Sequence, residues 1–307
     1  MGVLKLFDPW RSKLCTCPVK YTINPYTGCS HKCLYCYATS YIGYKESRPK
    51  ENLIKRLHDD LRKINPRIPI DMSLSSDPYP PQEKMLRITR NVLKVLLPLG
   101  LKVQITTKSN LFLLDLDLIR KYNVAVSVTI TTLDNSLAKR IEPFAPSPKD
   151  RIHALEKLSC ADVPFSVRID PIIPFLNDDE KELKEIVQIV ANIGAKHIVV
   201  STYKAKPDNF SRMVYEFPEL ETKWRRLYYP RGKIGIRYAY LPIEFRKKLI
   251  YPVVNEARKL KLTYATCREA LTSPEFFNAP SCDGTHLIPE RIKYKGLESY
   301  ISTKTIR

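Results

Sequence analysis

The stretch that decides the fold is Asn24-Pro-Tyr-Thr-Gly-Cys29-Ser-His-Lys-Cys33-Leu-Tyr-Cys36-Tyr37, in which three cysteines have the spacing Cys-x3-Cys-x2-Cys. Thiolates this close on one loop can bind three irons of a [4Fe–4S] cluster, whose usual ligands are cysteines. An electron-transfer cluster takes a fourth cysteine from nearby, and none lies between Tyr37 and Ser159. The loop therefore predicts a cluster with one open iron. An open metal position is typical of a catalytic site, and here it could chelate the amine and carboxylate of an amino acid.

A zinc site is the alternative interpretation of the same loop. His31 lies inside the loop and could complete a set of nitrogen and sulfur ligands, as could another cysteine brought close by the fold. Two features favour the cluster: the strand-like run over residues 21–28 that leads into the loop, and the aromatic Tyr35 before Cys36.

Beyond the loop, strand-like and helix-like segments alternate. Apolar, β-branched runs predict strands at residues 68–74, 102–107, 124–131, 164–173 and 197–202. Apolar residues at helical spacing fill the intervals, most clearly at 179–193, where acidic residues in the first turn suit the helix dipole. Repeated strand–helix units build a parallel sheet with helices outside. The pattern fits both a partly closed barrel and an open doubly wound sheet.

The cysteine loop, together with later blocks, resembles the radical S-adenosylmethionine (SAM) superfamily, and within it the branch of spore photoproduct lyase and DNA repair photolyase-like proteins. The later blocks occur in the order of that branch: Ser76-Asp-Pro-Tyr79 with Glu83, Thr107-Lys-Ser109, Ser127-x-Thr129, Glu142-Pro-x-Ala-Pro146 and Pro171-Ile-Ile-Pro174. The resemblance implies an α/β fold, a partial (βα)6 barrel of the TIM type with a C-terminal extension. It also implies reductive cleavage of SAM to methionine and a 5′-deoxyadenosyl radical, which abstracts hydrogen from a substrate, and an electron donor such as ferredoxin or flavodoxin.

These blocks lie at or just after the C-terminal ends of predicted strands, the edge at which parallel βα folds bind ligands. The resemblance implies that Ser75, Ser76 and Asp77 hydrogen-bond the SAM amino group and that Lys108 reaches its carboxylate. A carboxylate suits an ammonium because hydrogen bonds between charged groups are strong. A helix cap before Pro78 is the alternative role of Asp77.

Further candidates for SAM binding follow on the next two strands. Ser127 and Thr129 lie two apart and share one face, which suits the ribose hydroxyls, although ordinary strand propensity also explains them. Glu142 could hold the ribose or the amine. Arg168 shares a strand face with Asp170, and a buried arginine needs a partner because an unpaired buried charge is costly. Both a structural ion pair and a contact with the SAM carboxylate remain open for Arg168.

Five further cysteines lie outside the loop. Cys160 ends an amphipathic helix and is expected to be a small buried side chain. Cys15, Cys17, Cys267 and Cys282 lie near the two ends of the chain. If the ends meet at the barrel, these four could bind a second [4Fe–4S] cluster, which needs four cysteines. A structural zinc ion, free thiols and a hydrogen-atom donor are the alternatives.

The chain departs from spore photoproduct lyase in one respect. That enzyme uses a cysteine as hydrogen donor between the cluster loop and the third strand, whereas residues 37–159 of this chain contain no cysteine. We therefore expect a radical SAM enzyme of lyase or transferase type that does not repair thymine dimers.

Charge is concentrated at the ends of the chain. The 307 residues carry a formal net charge of +19; residues 1–67 hold 13 Lys and Arg against 5 Asp and Glu, and residues 202–307 hold 21 against 11. If the ends meet, they form one basic face that attracts polyanions such as nucleic acid. A lysine-rich solvated surface is the alternative.

Aromatic and basic residues interleave in the C-terminal part, at 223–231 and 237–240. Aromatic rings stack on bases and cations contact phosphates, so this composition suits single-stranded or flipped nucleotides. An aromatic face that covers the barrel, with the arginine heads in water, is the alternative. The first function hypothesis is thus a radical SAM enzyme of unknown substrate, for which a nucleic acid is favoured over a protein or a small molecule. The second is a non-catalytic nucleic-acid-binding protein that contains zinc or iron–sulfur.

We predict three regions: an N-terminal extension over residues 1–19, a radical SAM core barrel over 20–202 and a basic, aromatic C-terminal extension over 203–307 that covers the barrel. No run approaches the roughly 18 apolar residues that span a membrane, and the first ten residues do not resemble a signal peptide. We therefore expect a cytoplasmic protein without membrane contact. In that compartment eight cysteines indicate metal or redox chemistry and not disulfides.

Overall fold

The computed structural model describes residues 2–7, 14–72, 74–232 and 238–295. The strands of this part of the chain are β1 (Leu4–Phe7), β2 (Lys20–Ile23), β3 (Tyr26–Thr27), β4 (Arg48–Pro49), β5 (Ile70–Met72), β6 (Val103–Thr107), β7 (Val124–Thr129), β8 (Phe165–Ile172), β9 (His197–Thr202) and β10 (Thr263–Thr266). The helices are α1 (Thr39–Ile42), α2 (Leu53–Leu61), α3 (Glu83–Leu86), α4 (Ile88–Leu96), α5 (Leu116–Ile119), α6 (Asn135–Ile141), α7 (Pro148–Cys160), α8 (Glu180–Ile193), α9 (Pro207–Glu216), α10 (Glu221–Tyr228) and α11 (Ile243–Lys259).

Eight strands form one sheet in the order β1-β2-β5-β6-β7-β8-β9-β10. From β2 to β10 all neighbours are parallel, whereas β1 pairs antiparallel with β2. One cavity is lined by residues from β2, β8 and strands between them, and also by Cys267 just after β10. The sheet therefore curves around the cavity as an incomplete barrel, with β1 and β10 as its two edges.

The strands are apolar because helices cover their outer faces, as expected of parallel sheets. Every residue of β7 and β9 is buried. Outside them, α8 buries Leu183, Ile186, Val187 and Val190, one stripe at helical spacing. This helix begins at the Asp179 cap and packs with α11 over β9. The predicted parallel α/β barrel fold is confirmed.

The sequence analysis missed two helices after the last predicted strand. Residues 203–248 show no clean period, yet they contain α9 and α10. Their packing explains the pattern: Trp224 on α10 is fully buried, and its indole N–H donates to the Pro174 carbonyl oxygen at 3.0 Å. The aromatic residues of this segment thus contact the barrel. Arg237, which belongs to the predicted basic and aromatic segment, lies outside the described residues.

Both ends of the chain contribute to the sheet. Strand β1 comes from the predicted N-terminal extension, and β10 comes from the predicted C-terminal extension. The strand pairing therefore crosses both predicted boundaries, at 19/20 and at 202/203. None of the helices in the described ranges has both the length and the apolar character that crossing a membrane requires.

Candidate active site

A cavity of about 460 Å³ lies inside the incomplete barrel, and all three loop cysteines line it. Six of the predicted SAM-binding residues also line this cavity: Ser75, Ser76, Asp77, Lys108, Thr129 and Arg168. The other two, Ser127 and Glu142, do not belong to its lining. The fold thus brings the cluster loop and the C-terminal strand ends to one place.

The cysteine loop is held in position by its backbone. Gly28 has φ +72°, and a Cβ atom there would clash with the Glu46 carbonyl oxygen, so the residue before Cys29 must be glycine. The Cys29 N–H donates to the Lys45 carbonyl oxygen at 2.9 Å. Ser30 and Ser47 exchange backbone-to-hydroxyl hydrogen bonds of 2.9 Å. The loop is therefore hydrogen-bonded to residues 45–47, the segment that leads into β4.

Burial raises the pKa of two thiols of this loop, those of Cys29 and Cys33. Burial, with a further contribution from the charge of Asp77, raises the pKa of Cys29 to about 11. Burial also raises the pKa of Cys33 well above its ordinary value, although nearby Lys108 opposes the shift. A coordinating metal deprotonates thiols outright, so these groups suit thiolate ligation.

Asp77 connects the loop to the end of β6. Its carboxylate accepts hydrogen bonds from the Tyr79 N–H, the Thr107 hydroxyl and the Lys108 N–H at 2.7–2.9 Å. It also lies 3.4 Å from Nδ1 of His31. Burial opposes ionisation of this carboxyl, but His31 and the hydrogen bonds outweigh burial and lower its pKa to about 2. Asp77 is therefore an anion that holds His31, the residue between the first two loop cysteines.

Ser75 and Ser76 hold the start of the same loop. The Ser76 hydroxyl donates to the Gly28 carbonyl oxygen, directly before Cys29. The Ser75 hydroxyl and N–H both approach Oδ1 of Asn24, at 3.1 and 3.2 Å. The residues that follow β5 therefore hold both ends of the segment 24–28, which leads into the cysteine loop.

Glu142 holds the last part of the loop from outside the cavity lining. It is buried, pairs with the Arg151 guanidinium, and accepts hydrogen bonds from the hydroxyls of Tyr35 and Thr131. Burial would raise the pKa of this carboxyl, but the charges of Arg151 and Lys108 lower it below its ordinary value. Tyr35, the aromatic residue before Cys36, is thus fixed by a buried anion.

Lys108 places a cation in the cavity beside the cysteine loop. Its Nζ lies 5.6 Å from the centroid of the Tyr35 ring, and no hydrogen bond or ion pair to it occurs within the described residues. Burial would lower the pKa of Lys108, but the charges of Cys33 and Glu142 raise it. The cavity therefore presents a charged amine without an anionic partner among these residues.

The predicted residues of β7 and β8 have different surroundings. Thr129 is buried at the cavity wall, whereas Ser127 is deeper and accepts a hydrogen bond from the Ser166 hydroxyl at 2.8 Å. Arg168 pairs with Asp170 at 2.5 Å, and Asp170 also accepts a hydrogen bond from Ser201. The charges of Arg168 and Lys204, with the hydrogen bonds from Ser201 and Arg168, keep the pKa of Asp170 below its ordinary value despite burial.

The four cysteines from the two ends of the chain meet in the same cavity. All four line its wall: Cys15, Cys17, Cys267 and Cys282. Sγ of Cys282 lies 3.4 Å from Sγ of Cys17. Hydrogen bonds from Cys15 and Cys282 lower the pKa of the Cys17 thiol. Cys160, by contrast, is exposed and not buried as predicted, because it follows the last buried residue of α7.

Sequence reasoning missed a buried ionic group beside these cysteines. Lys20 is 1% exposed, and its Nζ lies 2.7 Å from the carboxylates of both Asp71 and Asp283. Burial opposes the charge of Lys20, but the two carboxylates raise its pKa well above the ordinary value. The only sequence signal is that charged residues occur in an apolar strand and beside Cys282.

Sequence reasoning also missed a group of rings and cations at the cavity, the aromatic–cation cluster: Tyr37, Lys206, Tyr238, Tyr240 and Arg268. The Arg268 guanidinium lies 4.5 Å from the Tyr238 ring centroid and 5.6 Å from that of Tyr37. Lys206 lies 4.3 Å from Tyr238. Within the described residues, the buried Nε of Arg268 has no hydrogen-bond partner. The alternating aromatic and basic residues at 237–240 indicated such a group in the sequence. Nothing in the sequence indicated that Arg268 would contact them.

The chain is similar to uncharacterised proteins of an archaeon, a bacterium and a virus. The chain is 39% identical over 174 residues to an uncharacterised protein of Methanocaldococcus jannaschii, covering 52% of this chain and 63% of that protein. It is 27% identical over 263 residues to an uncharacterised protein of Mycobacterium tuberculosis, covering 78% and 75%, and 32% identical over 199 residues to one of Acidianus two-tailed virus, covering 58% and 65%. The chain thus spans less than two thirds of the first and third of these relatives.

Solved structures share the fold. A spore photoproduct lyase variant with bound AdoMet and dinucleoside spore photoproduct superimposes with a TM-score of 0.64 at 18% identity, covering 87% of this chain and 81% of that one. SuiB of Streptococcus suis, bound to S-adenosylmethionine, gives 0.58 at 16% identity, covering 84% and 53%. A family model described as the radical SAM superfamily matches residues 23–205. Because this match covers more than half of the chain, from the strand before the cysteine loop to the residues after β9, the protein belongs to the radical SAM superfamily of enzymes.

Proposed function

We propose that Cys29, Cys33 and Cys36 hold a [4Fe–4S] cluster whose open iron binds SAM in the cavity, and that the radical formed there acts on a nucleic acid. A cluster held by these cysteines would supply the electron for reductive cleavage of SAM to methionine and a 5′-deoxyadenosyl radical, which would take a hydrogen atom from the substrate. The electron comes from an external donor of the ferredoxin or flavodoxin class. The observation that carries this proposal is the convergence on one cavity of three loop cysteines and a lysine that has no ion pair among the described residues.

The loop suits a cluster better than a single zinc ion. Within the described ranges, no three His, Cys, Asp or Glu side chains are close enough together to hold one metal ion. His31, the candidate fourth zinc ligand, lies against Asp77. Thiols that share a cavity without meeting at one point suit a cubane, which binds each thiolate at a separate iron.

SAM would be held by charge and shape at the strand ends. Lys108 supplies a cation for the SAM carboxylate, and such a charge-assisted hydrogen bond is about twice as strong as a neutral one. Thr129 supplies a hydroxyl at the wall beside it. Ser76, Asp77 and Glu142 contribute by holding the loop in register with these groups, since their side chains already bond to loop residues or to neighbours of those residues. Arg168 is paired with Asp170 and contributes charge to the wall.

A nucleic acid is the substrate class that the aromatic–cation cluster favours. Its rings can stack on bases, and its half-buried cations and the unpartnered Nε of Arg268 can contact phosphate or a base edge. Tyr37, Tyr238 and Arg268 of this cluster line the cavity, so a flipped nucleotide stacked there would reach the site of the radical. The spore photoproduct lyase structures contain a dinucleoside substrate, which agrees with this class, and the reaction itself is of lyase or transferase type.

The first experiment tests the chemistry. The protein would be reconstituted anaerobically with iron and sulfide, reduced with dithionite and given SAM. We expect 5′-deoxyadenosine in wild type and none in the Cys29→Ala variant, while Cys160→Ala, which alters an exposed cysteine, should behave as wild type. Equal SAM cleavage in all three proteins, or none in wild type that contains iron, would contradict the proposal.

The second experiment tests the substrate class. Binding of a fluorescent single-stranded oligonucleotide would be compared between wild type, Tyr238→Ala and Tyr215→Ala, the last being an 89% exposed tyrosine of α9. Stacking on an aromatic ring is worth roughly 1–3 kcal/mol, so Tyr238→Ala should weaken binding about 5- to 150-fold. Affinity that is unchanged by Tyr238→Ala would remove the nucleic acid from the proposal and leave the radical chemistry intact.

A further inference from the structure

The reaction proposed above needs one cluster and three cysteines. A second set of four cysteines remains in the same cavity: Cys15, Cys17, Cys267 and Cys282. Their thiols are close, as the 3.4 Å separation of the Cys17 and Cys282 sulfurs shows, and Cys15 is also hydrogen-bonded to Cys17. The four residues are separated by up to 267 positions in the chain, so only the fold brings them together.

Their positions in the topology are not arbitrary. Cys15 and Cys17 lie on the segment that joins β1 to β2, at one edge of the sheet. Cys267 follows β10, the other edge, and its N–H continues the ladder by donating to the Val200 carbonyl oxygen at 2.9 Å. Cys282 lies on the C-terminal segment, next to the Asp283 that pairs with Lys20 on β2. The four thiols therefore lie between the two edge strands of the sheet, β1 and β10, which do not pair with each other in the described residues.

The surroundings of these thiols suit a buried anionic cofactor. The hydroxyls of Thr16 and Thr22 are buried and have no hydrogen-bond partner among the described residues. Thr16 lies between Cys15 and Cys17 in sequence, and Thr22 lines the cavity. Lys20 approaches Cys17, and the Arg168 guanidinium is hydrogen-bonded to Cys267. Hydrogen bonds to the sulfurs and nearby charges are the means by which proteins hold and tune iron–sulfur clusters.

We propose that Cys15, Cys17, Cys267 and Cys282 bind a second [4Fe–4S] cluster, which joins the two edges of the incomplete barrel. Four thiolates complete the ligand set of a cubane, so this cluster has no open iron and does not bind SAM. A single metal ion would use the same thiolates without sulfide, so the content of acid-labile sulfide separates it from a cluster. A Cys17–Cys282 disulfide would use only two of the four thiols.

This inference goes beyond the proposed function and does not depend on it, because the two cysteine sets can be removed separately. Iron and acid-labile sulfide would be measured in the anaerobically reconstituted full chain. A cubane contributes four irons and four sulfides, so we expect about eight of each in wild type. We expect about four in a Cys29→Ala, Cys33→Ala, Cys36→Ala triple variant and about four in a Cys17→Ser, Cys282→Ser double variant. The Cys160→Ser control should match wild type.

The triple variant also keeps the test informative if the double variant does not fold. After reduction, its electron paramagnetic resonance signal should be unchanged by SAM, because every iron already has a cysteine ligand. In wild type, SAM should alter one of two signals, that of the cluster with the open iron. A signal in the triple variant that shifts on addition of SAM would overturn the closed ligand set.

Three results would overturn the second cluster. One is about four irons in wild type and none in the triple variant, which would leave the proposed function intact. Another is zinc without sulfide in the triple variant. The third is a metal-free triple variant with two thiols fewer than its sequence predicts, which would show a disulfide. Four irons that persist in the triple variant, without SAM cleavage in wild type, would support this cluster and refute the proposed function.

Discussion

Replacement of Lys108 by methionine should weaken SAM binding without loss of iron. Methionine keeps the length and much of the apolar volume of lysine but removes its charge. In the structure, Nζ of Lys108 has no hydrogen bond or ion pair to any described residue and lines the cavity beside Cys33. Nothing in the loop depends on this amine for a hydrogen bond, so the loop should still assemble its cluster.

The size of the effect follows from the contact that is removed. Because the charges of Cys33 and Glu142 raise the pKa of Lys108, the amine is protonated throughout the neutral range. A hydrogen bond to a charged group contributes roughly 1.5–3 kcal/mol, and each 1.4 kcal/mol is a tenfold change in affinity. The dissociation constant of SAM should therefore rise about 10- to 150-fold.

The assay is anaerobic isothermal titration of the reconstituted protein with SAM, with iron measured on the same sample. Lys157→Met is the matched control, because Lys157 is exposed on α7 far from the cavity lining. A Lys108→Met protein that contains wild-type iron and binds SAM within threefold of wild type would refute the role given to this lysine. A protein that loses iron would show instead that Lys108 supports the cluster loop.

Three further outcomes are expected. Asp77→Asn should lower the iron content after reconstitution, measured per chain, because it removes the charge that holds His31 in the loop. Glu142→Gln should lower the free energy of unfolding by about 3–5 kcal/mol because the buried Arg151 loses its counter-ion. Since the fold lowers the pKa of Glu142, the stabilisation by its charge is complete above the ordinary carboxyl pKa and is lost only in acid. The difference in thermal unfolding between this variant and wild type should therefore be the same at pH 6 and pH 8. Trp224→Ala should cost about 3–5 kcal/mol in the same assay because it empties a fully buried site, whereas Tyr215→Ala should be neutral.

The sequence predicted the centre of the fold because the strands there are buried on both faces. Such strands appear as continuous apolar runs, and those at 102–107, 124–131, 164–173 and 197–202 correspond to β6, β7, β8 and β9. The cysteine loop was equally visible, since its ligands lie within eight residues. Local patterns of this kind can be recognised in the sequence without knowledge of tertiary contacts.

The rest required the tertiary structure. Strand β1 is four residues long and lies at an edge, where alternation is weak. The pairing of Lys20 with Asp71 and Asp283 joins residues that are 51 and 263 positions apart. No period in the sequence reports such contacts. Arg168 illustrates the same limit, because its strand predicted that it needs a partner but not that Asp170 and Cys267 would both contact it.

The strand-end residues of this protein divide into two physical groups that a sequence pattern does not separate. The Ser76 hydroxyl donates to the Gly28 carbonyl oxygen, Asp77 accepts three hydrogen bonds at the ends of β5 and β6, and Glu142 is bound by Arg151 and two hydroxyls. Lys108 has no such partner among the described residues. A group whose hydrogen bonds are already made inside the protein would have to break them to bind a ligand, and that cost opposes binding. A charged group without an ion pair in a cavity gains by binding an anionic ligand. The proposed function therefore gives the binding of the SAM carboxylate to Lys108, and it gives its neighbours the role of positioning the three thiols.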